Sequence, residues 1–107
     1  MRRFGRVIGL REDQAEAYRA LHAGPGVRDL LTAYNLRNFN IFLHRLPDGK
    51  IYEFAYVEYV GDDYEADMER LAREPRNLEW LKLCDPMQLP LPGEHGWAEM
   101  EQVYLNP

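Results

Sequence analysis

Leu36-Arg37-Asn38-Phe39-Asn40-Ile41-Phe42-Leu43-His44-Arg45-Leu46, then Pro47-Asp48-Gly49, then Lys50-Ile51-Tyr52-Glu53-Phe54-Ala55-Tyr56-Val57-Glu58-Tyr59-Val60 run without interruption through the middle of the chain. In the first stretch Phe39, Ile41 and Leu43 fall on one side of an extended chain and Asn38, Asn40 and His44 on the other, as the two-residue side-chain period of a strand requires. The third stretch is the most β-prone segment of the sequence. It carries Tyr52, Phe54 and Tyr56 on one face and Ile51, Ala55, Val57 and Tyr59 on the opposite one. Pro47-Asp48-Gly49 between them has the composition of a tight turn, so the two strands form a β-hairpin.

Outward from the hairpin, residues 3–10 are short, apolar-rich and closed by Arg11-Glu12-Asp13, which suits a first strand. Asp13 with Glu16 three residues on has the spacing of a capping box, and Ala15, Ala17, Tyr18, Ala20 and Leu21 follow at helical spacing. This helix should stop at Ala23-Gly24-Pro25-Gly26, where glycine tolerates positive φ and Pro25 disfavours a helical Gly24. A shorter helical turn over 27–34 follows. Beyond the hairpin, Gly61 breaks the strand, Asp62 or Asp63 caps a helix to about Ala72, and Pro75 opens a second short helix through Leu83. Pro86, Pro90, Pro92 and Gly93 make 85–98 a structured loop, and Glu99 to Leu105 is expected as a fourth strand. The order βα, ββ, αβ with right-handed crossovers gives an α+β, ferredoxin-like βαββαβ fold, a four-stranded antiparallel sheet with its helices on one face. The uncovered sheet face then calls for a partner, and a homodimer with the two sheets face to face is expected.

The 107 residues make one domain, 1–107, since chains divide into several only above about 250 residues. Thirteen Lys and Arg against 18 Asp and Glu leave a formal charge of −5. With no basic cluster longer than Arg2-Arg3, nucleic acid is a poor partner. A 46% apolar content with 2 Trp, 7 Tyr and 4 Phe excludes a disordered polyelectrolyte. No stretch has the length of a signal peptide's apolar segment or of a membrane span. The single cysteine, Cys84, has no disulfide partner. A cytoplasmic protein is expected, with Cys84 as a small core residue.

Tyr18 and His22, four apart, share one side of their helix. They offer an imidazole for general acid/base work beside a phenol that can hold a hydroxylic substrate; the plainer alternative is an amphipathic helix end with His22 near the C-terminal dipole. His22, His44 and His95 are scattered, without the close spacing a metal site wants, so no metal is expected. Trp80 suits either the core or the wall of a sugar pocket, where an aromatic ring meets the apolar face of a sugar. Asn40 is a polar group that such a pocket could use.

Taken in order, Tyr18–His22, Asn38-Phe39-Asn40-Ile41-Phe42-Leu43, Phe54-Ala55-Tyr56-Val57-Glu58, the segment around Trp80, and Glu101-Gln102-Val103-Tyr104-Leu105 resemble the L-rhamnose mutarotases over nearly the whole chain. The resemblance implies a dimeric α/β barrel of two ferredoxin-like subunits. The implied activity interconverts the α and β anomers of a 6-deoxy-L-hexose without metal or nucleotide. It also implies His22 as proton donor and acceptor, and Tyr18, Phe39, Trp80 and Leu81 around the sugar. Phe39 stands where the family has a tyrosine, Leu81 where it has the second tryptophan of a pair, and Gly24-Pro25-Gly26 where it has a longer segment with a proline and a tryptophan. These changes touch the walls of the site and spare the acid/base pair, so L-fucose stands beside L-rhamnose as the expected substrate. A cofactor-free monooxygenase of the same barrel and a non-catalytic metabolite-binding dimer are the competing functions, and fold alone does not separate them.

Overall fold

Strands β2 (Leu36–Arg45) and β3 (Ile51–Tyr59) form the expected hairpin in a computed structural model that describes residues 1–107. Gly49 at φ 83° closes the turn, and Asp48 accepts from the Lys50 amide at 2.9 Å. The ladder breaks register between Arg37 and Asn40, where Asn38 adopts φ 53°, a left-handed conformation that asparagine accommodates better than most residues. Strand β1 (Arg2–Leu10) pairs antiparallel with β3 along its whole length. Ile51, Glu53, Ala55, Val57 and Tyr59 are all buried on the inward face, and Leu10, Ile8, Arg6 and Phe4 of β1 stand opposite the first four of them.

The helices α1 (Ala15–Ala23), α2 (Arg28–Ala33), α3 (Tyr64–Arg73) and α4 (Pro75–Cys84) complete an α+β, ferredoxin-like fold. Asp63 caps α3 by accepting from the Ala66 amide at 3.1 Å, and Pro75 occupies the start of α4, where its missing N–H costs nothing. Asp13 does not cap α1. Residues Glu12–Gln14 form a 3-10 turn that runs into the helix, and the N-terminal neighbour Gln14 is already helical (φ −108°, ψ −1°), whereas a side-chain cap needs an extended residue there.

The far edge of β1 also departs from the expectation of one strand over 99–105. Two short strands share that edge, β4 (Gln88–Leu89) against Gly9 and Leu10, and β5 (Ala98–Met100) against Gly5, Arg6 and Val7. Residues 101–107 have no regular structure, and Val103 and Tyr104 are exposed. Neither parity of that segment is consistently apolar. Glu99 and Glu101 alternate in phase with Val103 and Leu105, so no face rewards continued pairing.

Two clusters fill the space under the helices. One holds Leu10, Ala15, Tyr18 and Ile51; the other holds Leu36, Val57, Tyr59 and Leu71. Ala55 lies between them on the inward face of β3. Its single methyl leaves the sheet floor low, and a cavity opens there.

Candidate active site

Helix α1 brings Tyr18 and His22 to this cavity on successive turns, with ring centroids 4.0 Å apart. The His22 Nδ1 lies 2.8 Å from the Tyr18 carbonyl oxygen. A carbonyl only accepts, so Nδ1 carries the hydrogen and Nε2 of the neutral ring keeps a free lone pair. Beyond His22 the chain turns at Gly24. The Arg28 guanidinium donates to the Gly24 carbonyl and, at 2.8 Å, to that of His22, tying the loop to the last turn of α1. Gly26 sits at φ 55° with the Trp80 ring against it: a Cβ there would stand 3.1 Å from the indole. Trp80 meets the His22 ring edge-on at 5.1 Å.

The cavity holds about 240 Å³ and continues into an outer lobe of about 260 Å³. His22, Phe39 and Trp80 line both lobes, and Tyr18 and Leu81 line the inner one. Asn40 is not brought to it. That residue pairs with Tyr56 on the opposite face of the sheet, and its amide donates to the Asn38 carbonyl at 2.7 Å. The two-residue period that turns Phe39 inward turns Asn40 outward, which corrects its assignment to the sugar pocket. Cys84 is buried at the cavity wall, and burial, aided by Asp85 and Glu53, pushes its thiol up to about 11.

Sequence reasoning passed over three groups here. Glu53 is fully buried, and its Oε1 accepts the Tyr18 hydroxyl. Gln88 donates to Glu53 Oε2 at 3.2 Å and lies 3.4 Å from Oε1 and 3.5 Å from the Tyr18 oxygen. Burial pushes Glu53 up to about 7 against the pull of these two hydrogen bonds, and it also holds the Tyr18 phenol above its ordinary range. Trp97 is the third, on the wall of the inner lobe. The signal for Glu53 was present in its parity, which matches Ile51, Ala55, Val57 and Tyr59. Gln88 and Trp97 arrive from a proline-rich segment with no periodic pattern to read.

A ferredoxin-like domain here sets one imidazole, its Nε2 unengaged, against an aromatic-walled cavity. The L-rhamnose mutarotase family model matches residues 3–105, and the chain belongs to that family, whose members are isomerases. Among solved structures, an L-rhamnose mutarotase from Formosa agariphila superposes with a TM-score of 0.74 at 19% identity, covering 100% of both chains. Tetracenomycin F2 cyclase from Streptomyces glaucescens, a type-II polyketide cyclase, superposes at 0.67 with 21% identity, again over 100% of both chains. The same fold thus carries a different reaction, and it is the family match that gives the mutarotase activity. No curated protein matches the chain. No helix is long and apolar enough to cross a membrane.

Proposed function

We propose that the chain interconverts the α and β pyranose anomers of a 6-deoxy-L-hexose, L-rhamnose or L-fucose, with His22 as the acid/base group. The observation that carries this reading is the Nδ1–carbonyl bond of His22, which leaves Nε2 as the basic atom of a ring lining both lobes of the cavity. Mutarotation needs the anomeric hydroxyl deprotonated while the ring oxygen gains a proton, then rotation about C1–C2 in the open aldehyde, then reclosure. Nε2 takes the first proton and returns it. Trp80 and Phe39 offer flat apolar walls to the carbon faces of the sugar, and the inner lobe, near the small end of ligand pockets at about 300 Å³, suits a monosaccharide. The reaction already proceeds in water, so positioned acid/base groups worth about 10²–10⁴-fold, or roughly 3–5 kcal/mol of barrier, make a useful enzyme.

The assembly we infer is a homodimer through the outer sheet face. Phe42 is 64% exposed there beside Phe54, with the half-buried Tyr52 and Tyr56 on the same side, an apolar surface that a second sheet would cover. The buried free thiol of Cys84 accords with a reducing cytoplasm. Saturation transfer between the anomeric protons of L-rhamnose and of L-fucose, with and without catalytic protein at neutral pH, tests the substrate assignment. Accelerated exchange in one of them is expected; no acceleration in either overturns it.

A further inference from the structure

The mechanism above needs a second proton carrier, for the ring oxygen, and resting on that mechanism we propose that Glu53 is this carrier, acting on the sugar through the Tyr18 hydroxyl. Glu53 lies on the inward face of β3, 0% exposed, with Ile8 of β1 and Leu43 of β2 as its cross-strand neighbours. A buried carboxyl amid apolar side chains is costly, and packing alone would be served by another aliphatic group. None of the chain's seven ion pairs includes it. Its partners are the Tyr18 hydroxyl and the Gln88 amide. The titratable groups facing it are Tyr18 from α1 and Cys84 from the end of α4, with Asp85 beyond Cys84; β4 brings the Gln88 amide, β1 and β2 place Ile8 and Leu43 directly opposite, and the one cation farther along the inward face of β1, Arg6, donates instead to Glu99 and Tyr64. Glu53 does not line the cavity, whereas Tyr18 does, so the phenol stands between the carboxyl and the sugar.

This arrangement has two states. With Glu53 ionised, the Tyr18 hydroxyl donates inward to it, as the structure shows. With Glu53 protonated, the carboxyl donates to the Tyr18 oxygen and the phenolic hydrogen is free for the cavity. Ring opening then balances as follows. His22 Nε2 takes the O1 proton, the O1 pair forms the C1=O1 bond, and the C1–O5 pair leaves on O5. O5 takes the Tyr18 proton, and the Glu53 proton passes to the Tyr18 oxygen. The open aldehyde thus faces an imidazolium and a carboxylate, with the phenol restored. Reclosure on the other face of C1 runs each transfer backwards. Burial holds Glu53 at about 7, where both states are populated near neutrality.

The test combines Glu53→Gln, Tyr18→Phe and the double variant, read as anomer exchange from pH 5 to 9. Glu53→Gln should lower kcat about 100-fold or more with little change in KM, and the limb of the pH profile near 7 should vanish. The double variant should be no slower than Tyr18→Phe alone, since the two groups act in series. Wild-type kcat and pH profile in Glu53→Gln, or losses that multiply in the double variant, overturn the proposal. A sugar-free reading comes from the ¹³C carboxyl resonance of Glu53 in the wild-type protein. A midpoint near 7 that rises in Tyr18→Phe is expected, and a midpoint near 4.5 overturns the relay. Loss of activity in His22→Ala is independent of these outcomes, so failure of the relay and failure of the His22 mechanism are told apart.

Discussion

Replacing Glu53 by glutamine should make the protein's stability less sensitive to pH in a calculable way. The wild-type carboxyl is raised from an ordinary 4.5 to about 7 by burial. Between those two values the native protein holds a proton that the unfolded chain has lost, so stability falls as pH rises, and the loss is complete above the folded value. At about 1.4 kcal/mol per pH unit, this group removes roughly 2–3 kcal/mol between pH 5 and pH 8. Asp29, Asp48, Glu58 and Asp67 are held below their ordinary range, chiefly by hydrogen bonds from Arg76, Tyr52, Tyr56 and Tyr59 respectively. They work in the opposite sense: their stabilisation is present above the unfolded value and is lost in acid. They are common to both proteins and cancel in the comparison. Urea unfolding of wild type and Glu53→Gln at pH 5, 6, 7 and 8 isolates the term. The difference between the two curves should shift in favour of Glu53→Gln by roughly 2–3 kcal/mol across that range. A difference that stays constant with pH would refute the placement of a titrating carboxyl inside the sheet–helix core.

Trp80→Ala should raise KM roughly tenfold, with kcat less affected, because it removes a wall of both cavity lobes; an unchanged KM in steady-state exchange assays contradicts that role. Asp67→Ala should cost about 1–3 kcal/mol in thermal or urea unfolding, since this buried carboxylate accepts from Tyr59 at 2.5 Å, from Asn35 at 2.9 Å and from Arg70. A loss below about 0.5 kcal/mol would show that the network is replaceable. Phe42→Asp should convert a dimeric wild type to monomers in light scattering, because it puts a charge on the exposed outer face of the sheet; a wild type that is already monomeric sinks the face-to-face assembly.

The hairpin was legible because Phe39, Ile41 and Leu43 in β2 and Ile51, Ala55, Val57 and Tyr59 in β3 each keep one parity on either side of Pro47-Asp48-Gly49, and the first helix because its apolar spacing is ended by Gly24-Pro25-Gly26. The bulge at Asn38 did not announce itself, since it lies in a strand whose alternation reads normally on either side. β4 was hidden for a different reason. It is two residues long, sits between Pro86 and Pro90, and exists only because Gly9 and Leu10 offer an edge. The distinction between Phe39 and Asn40 was already in the two-residue period. Glu53 was readable as a charge within an apolar series, but its meaning depended on Tyr18 and Gln88, which reach it from positions 35 residues away in both directions. Contacts of that kind are set by tertiary packing and leave no local pattern.

The central claim is that the imidazole of His22 moves the anomeric proton. Its most direct test is saturation-transfer exchange of the anomeric protons of the turned-over sugar, measured side by side for wild type and His22→Ala with matched circular dichroism. Exchange in the variant should fall about 100-fold or more, towards the rate in buffer. A folded His22→Ala protein that exchanges the anomers at the wild-type rate would contradict the account.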